Sequence, residues 1–289
     1  MKNLKKILII CSFMFIVTGC FKTEELDNAD IFTTTYPIEY LITELYGYNS
    51  VISSVYPNGV NVEEYELSTK KINKYSKSDL FIYNGLTDEK KIAANFVNRN
   101  KNLKIIDVSE GLAIKSSEEE LWLNPSNYLM LAQNIKKGLN QYIESNIIKD
   151  EIENNYNKLK EEITKFETEL KLISQNSSNN VIIVSKDYFK FLNNYGFEVI
   201  SLEETDELNN DIINRAKKLL NEKSNSFIFV TEEDNVNTPN HINDILKSGG
   251  EKKVLNTFSI LTSEQRDQNE SYITLMQENL ELLKEELYK

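Results

Sequence analysis

Four short stretches of this sequence put polar side chains just beyond runs that read as β-strands: Glu63-Glu64, Glu118–Glu120, Ser185-Lys186 and Asn256. Two lie in each half of the chain. Ligands of open α/β sheets sit outside the carboxyl ends of the strands, so four such loops facing one another would line a cleft between two lobes. Carboxylate and amide oxygens are donors for hard cations. A carboxylate pair such as Glu63 and Glu120 could also serve a glycoside hydrolase, although nothing else in the sequence points that way. The one histidine is His241, so a multi-histidine zinc site is impossible and any Ser-His-Asp triad must use it. It follows Pro239 on an expected surface helix and reads as solvated. Glu118–Glu120 reads as a solvated charge run or, failing that, a cleft wall, and Trp122 as packing beneath the cleft loop. No glycine-rich phosphate loop occurs, which leaves nucleotide chemistry unsupported.

The elements that must position these loops alternate. Ile31–Tyr36, Ser50–Tyr56, Asp79–Tyr83 and Leu103–Val108 read as strands, with helices from Pro37, over Thr69–Tyr75 and over Asp88–Asn98 between them. Such alternation implies βαβ units and a parallel sheet. Asn127–Ile173 breaks the rhythm. Its apolar positions Ile148, Ile152, Tyr156, Leu159, Ile163, Phe166, Leu170 and Ile173 follow steps of four and three, close to a heptad seam. They predict one helix, or two nearly collinear ones, of ~40 residues and ~60–70 Å. The seam suits either a coiled-coil dimer or a backbone helix joining two lobes; the second reading makes the protein a monomer. Alternation then resumes with strands at Val181–Val184, Glu198–Leu202, Ser226–Thr231 and Lys252–Leu255, and ends in a helix over Tyr272–Leu287. The expected fold is α/β: two similar lobes, each a mostly parallel sheet with flanking helices, joined by a long backbone helix. The expected division is 1–19 signal peptide, 20–29 tether, 30–126 N-terminal lobe, 127–175 linking helix and 176–289 C-terminal lobe.

The N-terminus has its own logic. Lys2, Lys5 and Lys6 precede an apolar run from Ile7 to Val17, and Thr18-Gly19-Cys20 follows. This is the form of a bacterial lipoprotein signal, too short to span a bilayer as a mature helix. Cleavage before Cys20 would leave that residue to carry lipid and remove Cys11, so the mature body has no thiol for a disulfide, a metal site or catalysis. Losing three lysines and no acid takes the formal charge from −12 to −15. Such an acidic body should not bind nucleic acid.

Several segments, in order, resemble the zinc- and manganese-binding solute receptors of bacterial ABC importers. Val55-Tyr56-Pro57-Asn58-Gly59-Val60 with Tyr65-Glu66 is similar to that family's S-x-x-P-x-G-x-x-P-H-x-Y-E-P-T stretch. Ser78 to Gly85 resembles A-D-L-x-x-Y-N-G, and Trp122-Leu123-Asn124-Pro125 resembles H-x-W-L-D-P. Ser185 to Gly196 is similar to S-H-x-A-F-x-Y…Y-G, one residue shorter, and Tyr272-Ile273 with Met276, Asn279-Leu280 and Leu283 to the C-terminal Y…M…N-L-x-x-L helix. The resemblance runs from about Thr33 to Leu287. It implies a lipid-anchored extracytoplasmic receptor, not an enzyme, working with a membrane permease and its ATPase. No cofactor is certain; zinc or manganese is the bound metal that the resemblance implies. The alternative is an interaction or adhesion lipoprotein that kept the fold and lost the metal.

The departures from the family lie at its metal. The positions of its three histidines are Glu63, Glu120 and Lys186 here, or Ser185 in place of Lys186 if the gap falls elsewhere; its last carboxylate aligns with Asn256. Glu63, Glu120 and Asn256 are oxygen donors, suited to manganese, magnesium or calcium rather than zinc. A lysine at the remaining corner would repel a cation. It suggests instead that Lys186 takes the place of the metal, facing Glu63 and Glu120 across the cleft.

Overall fold

The computed structural model describes Leu26 and residues 28–62, 64–115 and 117–288. The expected signal peptide, Cys20 and most of the tether lie outside them, as does Glu63. Leu26, within the expected tether, is already part of the fold: it is buried, and its carbonyl accepts from the Tyr46 hydroxyl.

The N-terminal lobe runs β1 (Ala29–Thr33), α1 (Tyr36–Tyr46), β2 (Ser50–Ser54), α2 (Thr69–Tyr75), β3 (Leu80–Tyr83), α3 (Glu89–Arg99) and β4 (Lys104–Asp107). Its strands pair in the order β2-β1-β3-β4, all parallel. The central strand β3 is Leu-Phe-Ile-Tyr, with Leu80, Phe81 and Ile82 fully buried, as a strand covered on both faces requires. The edges β2 and β4 carry Ser50, Ser53 and Ser54, and Lys104 and Asp107, which blunt further pairing. β1 stops earlier than its apolar pattern suggests, because Pro37 starts α1 and Tyr36 is already helical.

Three helices follow: α4 (Glu120–Leu123), α5 (Pro125–Tyr142) and α6 (Asn146–Asn176). Asn124 caps α5 by accepting from Ser126 N–H. Gly138 lets α5 lie against β4; a Cβ there would meet Ile106 at 2.6 Å. The expectation of one helix or two collinear helices is corrected. The chain turns at Ile143–Ser145, where both flanking dihedral pairs are extended, and Ser145 caps the new helix. The helices form an antiparallel hairpin: Lys136 meets Glu153 near the turn at 2.8 Å, and the Ser126 hydroxyl reaches Glu167 far from it at 2.9 Å. Of these two helices α6 reaches from one lobe to the other, and its 31 residues make it roughly 46 Å long at 1.5 Å per residue. The predicted seam is its buried face: Ile152, Leu159, Ile163, Phe166, Leu170 and Ile173. Asn155 donates to Leu45 O in the first lobe, and Glu167 accepts from the Tyr195 hydroxyl in the second.

The C-terminal lobe repeats the plan. It runs β5 (Val181–Val184), a 3-10 segment (Asp187–Tyr195), β6 (Glu198–Ser201), α7 (Asn210–Asn221), β7 (Phe227–Val230), α8 (Glu232–Val236), α9 (Asn240–Leu246), β8 (Glu251–Val254), α10 (Ser263–Asp267) and α11 (Tyr272–Leu287). The strand order is β6-β5-β7-β8, again all parallel. Each sheet therefore reverses its winding beside its first strand, between β1 and β3 and between β5 and β7. One continuous apolar core joins both lobes, running from Leu26 and Ile31 through the α6 seam to Leu255 and Leu287.

Candidate functional site

The loops after β8 and before α5 meet where the lobes face each other. Trp122, fully buried in α4, donates from its indole N–H to Thr257 O at 2.9 Å, and its own carbonyl accepts from the Tyr272 hydroxyl at 2.6 Å. The packing role expected for Trp122 is thus joined to a polar one. This bond ties the turn that begins at Glu120 to the residue after Asn256. Glu120 is half-buried, and one of its carboxylate oxygens accepts from Lys115 N–H at 3.0 Å. Asn256 is held by its backbone alone: its N–H donates to Asn279 Oδ1 and its carbonyl accepts from Asn279 Nδ2, each at 2.8 Å. Its half-buried side chain makes no hydrogen bond among the described residues and is available to a ligand. Glu232, at the start of α8, fixes the neighbouring Thr257 by accepting from both its N–H and its hydroxyl.

The structure thus links the turn of Glu120 to the loop of Asn256 through Trp122 and Thr257. Glu63 lies outside the described residues, so its place in that set is not part of the geometry. Among the described residues no group of three or more histidine, cysteine, aspartate or glutamate side chains is arranged to hold a metal ion.

Lys186 departs from the expected arrangement. Its ammonium lies 4.0 Å from Glu203 and 3.9 Å from Asp234, both in its own lobe. Asp234 is buried, and Coulomb attraction to an acid in low dielectric outweighs attraction across a wetter cleft. Ser185, the alternative occupant of that corner, is the buried end of β5: its N–H donates to Phe229 O, and its hydroxyl has no hydrogen-bond partner. Tyr188 stands between the lobes. Burial first, then the carboxylates of Glu119, Glu232, Asp234 and Glu203, hold its phenol far above the ordinary range. Acids of both lobes therefore lie near one buried ring.

Two expectations about charged groups are corrected. Glu118, Glu119 and Glu120 are half-buried cleft-side residues rather than a solvated run. His241 is not solvated: its Nε2 lies 2.7 Å from Leu202 O and its Nδ1 2.8 Å from Glu204. Sequence reasoning missed Glu203, Glu232 and Asp234. The strand-end rule that selected Ser185 and Asn256 selects these as well, since Glu203 follows β6 and Glu232 and Asp234 follow β7.

The first lobe holds a matching polar group at its own switch point. The Glu89 carboxyl, 4% exposed, accepts from Asn84 N–H at 2.7 Å. Burial pushes its pKa up to about 7; the Asn84 N–H and the Thr34 hydroxyl oppose the rise, and Asp107 adds to it. Glu89, Glu118, Tyr56 and Tyr65 line a cavity of about 660 Å³.

Known proteins share this architecture. The pattern of zinc-uptake complex component A, periplasmic, matches residues 31–286. The high-affinity zinc uptake system protein ZnuA of Bacillus subtilis is 24% identical, over 99% of this chain and 98% of its own. A metal ABC transporter substrate-binding lipoprotein of Lactococcus lactis is also 24% identical, over 100% of this chain and 98% of its own. The crystal structure of the Zn(II)-bound ZnuA-like domain of Streptococcus pneumoniae AdcA superposes with a TM-score of 0.72 at 20% identity, covering 91% of this chain and 100% of that one. The family match spans both sheets, the helix hairpin and the loops that carry Glu120 and Asn256, so this chain belongs to the zinc-uptake complex component A family.

Proposed function

We propose that this protein is the lipid-anchored extracytoplasmic receptor of an ABC importer for a divalent cation, held in the membrane through Cys20 and delivering its cargo as a monomer to a permease driven by an ATPase. The observation that carries this reading is the Trp122–Thr257 hydrogen bond, which holds the loops of Glu120 and Asn256 together across the lobes. Family membership and the metal-uptake roles printed for its relatives supply the class of cargo.

The donors differ from those of a zinc receptor. Carboxylate and amide oxygens at Glu120 and Asn256, with Glu63 as the third, suit a hard ion such as Mn²⁺ better than Zn²⁺. The lysine that would repel a cation is directed to Glu203 and Asp234, which neutralise it in its own lobe. Thermal unfolding with and without added metal tests the proposal. Mn²⁺ at a hundred times its dissociation constant should stabilise the fold by about 2.7 kcal/mol, and Glu120→Ala and Asn256→Ala should each reduce the effect. If neither Mn²⁺ nor Zn²⁺ raises the melting temperature, the receptor reading fails.

A further inference from the structure

The C-terminal lobe encloses a second space at its own strand ends. A cavity of about 170 Å³ is bounded there by Ser185, Lys186, Glu203, Glu204, Asp234 and His241. It opens at the β5/β7 switch point, the place in a doubly wound sheet where ligands bind. Its polar groups are incompletely used. The Ser185 hydroxyl and Asp234 Oδ2 are buried, their residues 2% and 5% exposed, and neither has a hydrogen-bond partner. The Lys186 ammonium stands 3.9 and 4.0 Å from its two carboxylates, beyond hydrogen-bond length. At the cavity wall the His241 Nε2–H donates to Leu202 O, and Nδ1 lies 2.8 Å from Glu204, which is largely exposed.

Buried donors and acceptors left unmatched are costly, and a native fold keeps them where something else supplies the partner. The charges restrict what that can be. A simple anion would meet Glu203, Glu204 and Asp234. A metal ion would meet the Lys186 ammonium, which has no lone pair to offer it. A molecule carrying both signs meets neither objection. We propose that this cavity binds a small zwitterion of the free amino acid class, its ammonium on Asp234 Oδ2 and its carboxylate between the Lys186 ammonium and the Ser185 hydroxyl. Asp234 Oδ1 and the Lys186 ammonium are 3.9 Å apart, so the two charges of the ligand must be separated by a carbon or two, as in glycine or alanine. The cavity adjoins the inter-lobe junction at the Lys186–Ser185 corner, while the groups assigned to the zwitterion, Asp234, Lys186 and Ser185, all belong to the C-terminal lobe.

Two-dimensional NMR titration of the full mature chain with glycine, alanine, methylammonium and acetate tests the assignment. Saturable shifts at residues around Ser185 and Asp234 are expected with the two amino acids, and at least tenfold weaker binding with either single-charge probe. Charge-assisted hydrogen bonds support a loss of tenfold or more for Asp234→Asn and for Lys186→Met. Ser185→Ala, which removes one neutral hydroxyl and should fold normally, should weaken binding several-fold. The proposal is overturned if glycine and alanine produce no saturable shifts at tens of millimolar, which leaves the cavity to water. It is equally overturned if methylammonium or acetate alone binds as well as the amino acids, or if Ser185→Ala and Lys186→Met bind them as tightly as the parent. The same titration on Glu120→Ala, which removes a donor of the inter-lobe site and no group of this cavity, should give parent-like shifts with glycine, so failure of this site and failure of the receptor reading are told apart.

Discussion

Replacing Glu89 by glutamine should change how stability depends on pH, and the size of the change follows from burial. The carboxyl is shut away from water at the carboxyl end of β3, and its pKa rises from 4.5 to about 7 in the folded chain. An acid that holds its proton more tightly when folded stabilises the fold only while protonated. That contribution is complete below the unfolded value near 4.5, declines as pH rises, and is lost above pH 7. A shift of about 2.5 units at 1.36 kcal/mol each amounts to about 3 kcal/mol. Glu89→Gln keeps an oxygen to accept from Asn84 N–H but carries no charge at any pH. Parent and variant should therefore differ little near pH 5, and the variant should be the more stable by up to about 3 kcal/mol at pH 8. Urea unfolding of both proteins at pH 5, 6, 7 and 8 measures this, and subtraction removes the contribution of every other acid. Parallel stability curves across that range, or a variant less stable than the parent at pH 8, would refute the reasoning.

Trp122→Phe removes the indole donor and leaves the Thr257 carbonyl unpaired between the lobes; a loss of about 1–3 kcal/mol is expected by denaturant unfolding. Lys186→Met leaves the buried Asp234 without the ammonium beside it and should cost about 3–5 kcal/mol by urea unfolding, most of it recovered when Asp234→Asn is added; no recovery in the double variant would favour a partner across the cleft. Glu232→Ala frees Thr257 N–H and its hydroxyl, and calorimetric titration should show Mn²⁺ binding weakened about tenfold with the fold intact by circular dichroism. Arg266→Lys breaks the two-pronged bridge to Glu39, whose hydrogen bonds are each 2.8 Å, and should lower the melting temperature by several degrees.

The parallel sheets were legible because strands covered on both faces must be apolar throughout, and Leu80–Ile82 and Val181–Val184 are. The α6 seam was legible for a related reason: a helix touching both lobes shows one apolar face at steps of three and four. The turn at Ile143–Ser145 was not, because it contains neither proline nor glycine and Ile143 continues the apolar spacing while the backbone leaves the helix. At the site, position and direction separate. A match of motifs assigns Lys186, or Ser185, to one corner of the family's set, but the orientation of the Lys186 side chain depends on Glu203 and Asp234, which follow two other strands. His241 reads as solvated for the same reason, since its partners Leu202 and Glu204 are distant in sequence.

The core that runs unbroken from Leu26 to Leu287 has a consequence for transport kinetics. Two lobes sharing one apolar interior, a 31-residue strut and the Arg266–Glu39 clasp cannot swing apart as halves of a clamshell without exposing that interior. Loading and unloading must then proceed by displacement of short loops such as the one at Asn256, motions of nanoseconds to microseconds rather than the microseconds to milliseconds of domain rotation. The overall dimensions of the protein with and without Mn²⁺ should then agree by small-angle X-ray scattering. For the receptor role proposed above, a docked permease would read loop positions at the mouth of the cleft and would have to draw those loops aside to take the cargo.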